Sequence, residues 1–522
     1  MLPAVLLVFA VILLYLVRAH QEDIQLLGGQ RSAVFVTDGV PPSCLRYFHQ
    51  VGSHHDRGIE AWSASFRQLH GFLCISLHPL QPLPDVVRSN HLKYGKIYGS
   101  YQGFVPCLVV GDPEVLGVVC AKDFKSFVDR TEHDVTGNAL WDKMLLNMSC
   151  DVWKDERTAL SPAFTPSKLK LIFPRFVELT QRLRLQFVEE AEKRNVVEVQ
   201  RLFEKCSMDG MAAFLFGLDL NTRQTPNHPL VTCCNGFFSA IGGWKPVMLY
   251  AMSRVFKMLP IEFPSAYGSQ QVMNFVKVMV EKRIASKERH NDVLQFCLDA
   301  VTEMNKSSGR NLTESEMKDV AAEIMVFFIA GSDGVAIGLT FTAYNLALSP
   351  EYQDRVVEEI EEAVARHGMT FEAVNAMPLL EACFKESLRM YTPDSFLTRR
   401  CNQETTLYGI DFKPGMCIDI PLTGVHYNPE FFPEPYTFKP ERFLPESKDL
   451  LKPFSFLAFG AGPRNCIGLR VALVQAKTIL ACILRDVRFE RCGDTQVPVT
   501  FVPQRLLLEP TTPVKLRVLP RH

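Results

Sequence analysis

The sequence predicts a mostly α-helical chain with small β-sheets, folded as a single large domain behind an N-terminal membrane anchor. Three observations predict it. Six stretches (168–193, 269–289, 293–304, 314–346, 350–366 and 377–391) repeat apolar residues at helical spacing. Only short segments, at 98–110, 405–420 and 496–518, carry the alternation or the Gly/Pro punctuation of strands. Met1 to Val17 is almost continuously apolar, and Arg18 ends the run. A chain of 522 residues has room for two or three domains. No internal repeat or low-complexity tract divides it, so one large domain is the better reading.

Bulk numbers exclude several classes. A net charge of −1 gives no support for nucleic-acid binding. The 15 cysteines contain no Cys-x-x-Cys pair, which argues against a zinc module and against a disulfide scaffold. Reduced thiols and a cytosol-facing body follow.

Taken in order, residues 1–18 read as an uncleaved anchor. Seventeen apolar residues are at the short end for a bilayer span. A secretory signal peptide is the rival, but there is no basic leading region and no small-x-small cleavage site. The positive charges, Arg18 and Arg31, follow the apolar run and place the body on the cytoplasmic side. Residues 19–78 form an atypical insertion or linker with six of the 13 histidines and no sustained periodicity. His49, His54, His55 and Asp56 fit a solvated loop better than a metal cluster. Pro79, Pro82 and Pro84 punctuate the entry to the main domain, 79–522. Tyr98 to Val110 then reads as a hairpin with Gly111-Asp112-Pro113 as its turn, and the long helices follow. Three Asn-x-Ser/Thr sites, at Asn147, Asn305 and Asn311, go unused on a cytosolic body.

The densest chemical signal is Phe459-Gly-Ala-Gly462-Pro-Arg464-Asn-Cys466-Ile-Gly468. Gly460, Gly462 and Gly468 permit backbone conformations and close approaches that a side chain blocks. Arg464 sets a positive charge two residues before the sulfur, and Cys466 opens a helical run from Leu469 to Leu484. A helix N-terminus favours a thiolate, so Cys466 is expected to have a low pKa. A sheltered thiolate suits an axial ligand for haem iron. The bland reading, a structural cysteine on a glycine-rich turn, is weaker. Average residue usage puts these five spaced residues together about once in ten thousand chains of this size.

This loop resembles the haem-binding segment of the cytochrome P-450 superfamily, and three further segments carry the same resemblance in the family's order. Lys385-Glu386-Ser-Leu-Arg389 places Glu386 and Arg389 on one helical face. Alone that spacing means little, since Glu198 and Arg201 repeat it as an ordinary surface pair. Pro440-Glu441-Arg442-Phe443 adds the second arginine. The resemblance implies that Glu386, Arg389 and Arg442 form a buried charge network fixing the cysteine loop, a structural role. Trp153 and Arg157 lie one helical turn apart. By resemblance Arg157, Trp153, Arg399 and Arg464 are partners of the haem propionates, with Phe459 beside the ring. Leu160-Ser-Pro162-Ala-Phe164 is similar to the vertebrate drug-metabolising and insect detoxification branch.

The helix 314–346 is the one expected to cross the distal face. Ala330 and Gly331 allow the helix to open there, and Asp333 can relay protons. The family pattern continues with a threonine whose hydroxyl helps deliver the second proton; here the residue is Gly334. A substrate hydroxyl or a water can replace it, or Ser332 can contribute. A third explanation is a substrate that already contains an O–O bond, as in family members that rearrange peroxides. The resemblance implies a monooxygenase with haem b. Electrons would come from NADPH through a reductase, with cytochrome b5 as a further partner, and one oxygen atom would enter a lipophilic substrate. Lys154, Lys168, Lys452 and Arg470 are candidate reductase contacts. Substrate contacts are expected from 128–150, 207–263, Phe327, Phe328, Ala330, 395–397 and 501–504. A peroxide isomerase or dehydratase and a non-catalytic haem protein are the rival classes. The resemblance places the protein at the endoplasmic reticulum membrane with its catalytic domain in the cytosol.

Overall fold

A computed structural model describes residues 81–102, 105–130, 143–240, 269–286, 289–305, 313–503, 505 and 507–521. The expected anchor, the 19–78 segment, Pro79, Asn311 and the stretches 131–142 and 241–263 lie outside the described residues.

The chain enters through α1 (Leu83–Tyr94), β1 (Ile97–Gln102), β2 (Val105–Val110) and α2 (Pro113–Gly117). A helical half follows: α3 (Cys150–Leu160), α4 (Pro166–Glu192), a short β3 (Val196–Glu198), α5 (Val199–Phe216) and α6 (Pro229–Ala240). It continues with α7 (Ser269–Ser286), α8 (Val293–Asn305), α9 (Glu314–Leu348), α10 (Pro350–His367), α11 (Phe371–Asn375) and α12 (Pro378–Met390). The remainder is β4 (Phe396–Arg400), β5 (Thr405–Leu407), β6 (Ile410–Phe412), β7 (Cys417–Pro421), α13 (Leu422–His426), α14 (Leu469–Leu484), β8 (Val487–Glu490) and β9 (Lys515–Pro520). All six helices expected from periodicity are present, the described ends falling within three residues of expectation.

Helix α9 is the axis of the core. Its first turn is closed reciprocally: Thr313 Oγ1 accepts from the Glu316 N–H (3.3 Å), and the Glu316 carboxylate accepts from the Thr313 N–H (2.7 Å). Beyond that turn it is apolar on nearly every side. The helix is long and apolar enough to cross a membrane, but 78% of its most apolar window is buried by protein, so it is a core helix. Helix α5 makes the most extensive contact with it. Helix α12 begins where Glu359 of α10 accepts from the Leu379 and Leu380 N–H groups (2.8 and 2.9 Å), satisfying two donors a helix start leaves open.

The main sheet has the order β1-β2-β7-β4. β1 and β2 are antiparallel, β2 and β7 parallel, and β4 runs antiparallel to β7 with Arg399 opposite Ile418. A three-stranded sheet, β3-β9-β8, and the β5-β6 pair complete it.

Two expectations need correction. The hairpin exists, but Gly111-Asp112-Pro113 is not its turn: Ile97 pairs with Val110 and Gln102 with Val105, so the strands are joined at their other end. Asp112 instead caps α2, its carboxylate accepting from Glu114 N–H (2.9 Å), with Pro113 at the first helical position. In 496–518 only the end of the stretch is strand, within β9; the rest is held by isolated bridges such as Phe501 to Pro510.

Candidate active site

The cysteine loop is built by backbone geometry. Gly460 and Gly462 both have positive φ (68° and 70°), and a Cβ on Gly462 would collide with the Cys120 carbonyl. Gly468 differs: its φ is −84°, and a Cβ there would sit 3.8 Å from Cys466 Sγ. The Cys466 N–H donates to Phe459 O (2.8 Å), closing the loop on itself. The Gly468 N–H, Arg157 and Arg130 all favour the thiolate, yet burial outweighs them and raises the thiol above its ordinary value. This corrects the expectation of a low-pKa cysteine. Cys466 is nonetheless exposed.

Behind the loop lies the charge network. Arg389 meets Glu386 through Nε (2.7 Å) and Nη2 (2.9 Å), and Arg442 Nε reaches the same carboxylate at 3.3 Å. The Lys439 N–H adds a fourth bond to Glu386 (3.0 Å). Arg389 also donates to His426 O (2.7 Å) and Pro435 O (2.8 Å). The His426 ring continues the connection, its Nε2 accepting from the Leu457 N–H (2.9 Å) two residues before Phe459. Burial and the Arg389 charge depress this imidazole to about 3, so it stays a neutral acceptor. The control pair behaves as expected: Arg201 and Glu198 meet at 3.0 Å on the surface.

Four arginines crowd the front of the loop. Arg130, Arg157, Arg399 and Arg464 act on one another, and burial with like charge lowers Arg464 to about 9 and Arg130 to about 10. Arg464 is fully engaged, donating to Val128 O (3.0 Å), Leu145 O (3.3 Å) and Met148 O (2.5 Å), with its guanidinium 4.2 Å from the Trp153 ring. Arg157 holds the loop itself, through Asn465 O (3.0 Å) and Oδ1 (3.1 Å). Arg399 is different. It is fully buried, and its Nε and Nη2, like Arg130 Nε, meet no acceptor. Orphaned guanidinium donors in a buried cationic cluster beside an accessible cysteine sulfur fit a ring bearing two carboxylates and a metal that takes a thiolate.

On α9 the expected residues divide. Ala330 is exposed although the helix around it is buried. A Cβ added at Gly334 meets nothing within 4 Å. Both therefore border open space, one turn apart on the same face. The helix is unbroken here, and Gly331 faces α5, where a Cβ would stand 2.5 Å from Met211 Cε. Ser332 is ruled out as the missing hydroxyl: it is buried and donates to Phe328 O (2.6 Å). Burial, reinforced by Glu204, lifts the Asp333 carboxyl to about 7. Phe327 and Phe328 are core residues, the former edge-on to Phe164 at 5.3 Å.

Three residues with no motif to announce them belong to this region: Arg130, His426 and Asp394. A fourth, Glu323, lies two turns before Ala330 on the same face of α9. It is 1% exposed, and neither carboxylate oxygen has a partner at ordinary hydrogen-bond geometry. Burial and the nearby Glu156 and Asp319 push its carboxyl well up, with only the Leu145 N–H opposing them.

Known proteins match this sequence. The family model described as Cytochrome P450 matches residues 72–518. Mouse cytochrome P450 3A41 is 32% identical over 438 residues, covering 82% of this chain and 86% of the relative. Mouse cytochrome P450 3A16 is 33% identical over 439 residues, with 82% and 86% covered. Human cytochrome P450 3A5 is 32% identical over 440 residues, with 82% and 85% covered. With the family's haem loop, charge network and helical frame all in place, the chain belongs to the cytochrome P450 family and is a haem b-dependent monooxygenase.

Proposed function

We propose that this enzyme oxygenates lipophilic substrates with NADPH-derived electrons, and that Cys466 would supply the thiolate that holds its haem iron. Residues 1–18 tether it to the endoplasmic reticulum membrane, 19–78 link that anchor to the catalytic domain, and the domain faces the cytosol. The observation that carries the reading is the exposed Cys466 on its glycine-built loop beside buried guanidinium donors of Arg130 and Arg399 that meet no acceptor.

A thiolate-bound haem supplies the activation of O2 and the transfer of one oxygen atom, the other leaving as water. The chain's own residues do the rest. Arg130 and Arg399 would hold the cofactor's carboxylates, while Arg157 and Arg464, with Trp153 packed against the latter, would keep the loop and the propionate end in register. Phe459 anchors the loop through its carbonyl. Glu386, Arg389 and Arg442 hold the wall behind it. Asp333, with burial lifting its carboxyl to about 7, exchanges between its charged and neutral forms around neutral pH and so can pass a proton on. The open space at Gly334 takes a water or a substrate hydroxyl in place of the usual side chain.

Electron delivery uses the surface on the cysteine side. Lys154 and Arg470 are exposed there. Val152 and Leu171 add apolar area at 65% and 58% exposure, and Leu450 is 85% exposed. An acidic reductase steered by Lys154, Lys168, Lys452 and Arg470 fits that mixture, and cytochrome b5 would use the same charges. The test is turnover of a panel of lipophiles with reductase and NADPH under 18O2. One labelled oxygen atom per product molecule is expected; product without label, or turnover independent of reductase, overturns the reading.

A further inference from the structure

Asp129 is buried, and it ties together the four segments that carry the arginines of the candidate site. Arg130 follows it directly in the chain. Its carbonyl accepts from the Arg400 N–H (2.7 Å), beside Arg399 at the end of β4. Its carboxylate Oδ1 accepts from the N–H of Cys150 (2.6 Å), the first residue of α3, the helix that carries Trp153 and Arg157. The same oxygen lies 3.9 Å from Nη2 of Arg464 in the cysteine loop. Oδ2 accepts from Asn402 Nδ2, and Asn402 Oδ1 accepts in return from the Asp129 N–H (3.2 Å).

This convergence opposes two forces. Guanidinium groups drawn into one buried cluster repel one another, and a carboxylate bonded to their carriers offsets that repulsion. Cys150 holds a φ of 42°, which a residue with a side chain rarely adopts, at the start of a helix whose open N–H groups favour an anion. A general tie between loops is the rival explanation, and Asp123 supplies the comparison. Its carboxylate joins the same two stretches of chain by accepting from Thr405 Oγ1 (2.9 Å), with Ser126 Oγ (2.8 Å) as a second donor. Among the described residues it makes no hydrogen bond or ion pair with the four arginines.

We propose that Asp129 is the positioning residue of the carboxylate clamp, acting through Arg130, Arg157, Arg399 and Arg464 by holding their carriers in one register. The proposal rests on the reading above, in which Arg130 and Arg399 hold the cofactor's carboxylates while Arg157 and Arg464 steady the loop. The holding is done by directed hydrogen bonds: the Cys150 N–H takes one carboxylate oxygen and the Asn402 amide takes the other. An asparagine at 129 keeps one acceptor and sets its own amide against one of those donors. Reversing the pair, with asparagine at 129 and aspartate at 402, restores a donor opposite an acceptor at every one of these bonds.

The test is the rate at which purified holoenzyme gives up haem to excess apomyoglobin, with far-UV circular dichroism verifying the fold of each variant. Asp129→Asn should release haem tenfold or more faster than wild type. The double variant Asp129→Asn/Asn402→Asp should return to within threefold of wild type, and Asp123→Asn should stay within twofold. Release from Asp129→Asn within twofold of wild type overturns the proposal, as does equal acceleration by Asp123→Asn. A folded double variant that still releases haem tenfold faster overturns it too, and that variant decides alone if Asp129→Asn does not fold. Arg130→Ala and Arg399→Ala separate this proposal from the reading beneath it. If both retain haem as firmly as wild type, the clamp itself is wrong; if they lose haem while Asp129→Asn does not, only the role of Asp129 falls.

Discussion

Gly334→Thr restores the hydroxyl that the distal helix lacks, and the structure allows the outcome to be worked in advance. A Cβ at this position meets nothing within 4 Å, so α9 need not move to accept it. Replacing a mid-helix glycine by threonine recovers about 0.3 kcal/mol of helix propensity, too little to confuse a folding effect with a chemical one. One new hydrogen bond is worth about 1 kcal/mol, a factor of roughly 5 in the competition between productive cleavage and loss of peroxide. That is an upper figure, because α9 hydroxyls tend to bond backwards. Ser332, Thr340 and Thr342 donate to the carbonyls of Phe328, Ala336 and Gly338 at 2.6, 2.7 and 2.7 Å, and the introduced hydroxyl has Ala330 O within the same reach. The assay is hydrogen peroxide released per NADPH consumed, with reductase and one fixed lipophile. A two- to fivefold fall is expected; unchanged leakage removes position 334 from proton delivery and refutes the reasoning.

Three other perturbations follow from the same geometry. Glu386→Ala strands Arg389 and Arg442, with a loss of about 3–5 kcal/mol expected from breaking a buried ion pair; full haem content and an unchanged Tm would remove the network from the account. Gly462→Ala forces a Cβ onto the Cys120 carbonyl at φ 70° and should abolish haem retention, whereas Gly468→Ala, at φ −84°, should keep it; equal haem contents would contradict this reading of the loop. Glu323 supplies a pH test: its folded carboxyl titrates above the unfolded one, so its contribution is intact below about pH 4 and is lost as pH rises towards the folded value. Glu323→Gln should therefore flatten the fall in Tm on the alkaline side, and parallel Tm–pH curves for the two proteins would show that Glu323 is not held neutral by its surroundings.

The legible parts of this molecule are those whose physics is local. Helices α4, α9, α10 and α12 were readable because an apolar stripe or a wholly apolar run persists for several turns. Helix α5 was not, although Val199–Phe216 is helical throughout: its second half, Met211 to Phe216, is buried on every side and leaves no stripe to read. Gly111-Asp112-Pro113 was misread because the same residue types make a turn and a helix start, and only the pairing of Gln102 with Val105 decides between them. At the site, Cys466, Glu386, Arg389 and Arg442 were visible through spaced motifs. Arg130 carries no motif, and its place beside Arg157, Arg399 and Arg464 depends on folding residues far apart in the chain together. The low thiol pKa expected of Cys466 failed for a related reason, since the N-terminal helix effect is local and the desolvation that outweighs it is tertiary.

The central claim is that Cys466 binds haem iron as a thiolate and that NADPH-derived electrons reach it through a reductase. The most direct test is the ferrous–carbon monoxide spectrum, recorded first with NADPH and reductase and then with dithionite, for wild type and Cys466→Ser. A panel of lipophilic amines and neutral lipophiles should be present in parallel samples. The account predicts a strongly red-shifted Soret band with either reductant in wild type, and its loss in the variant. An unshifted band in wild type, a shifted band that survives Cys466→Ser, or a wild-type band obtained only with dithionite under every ligand would contradict it.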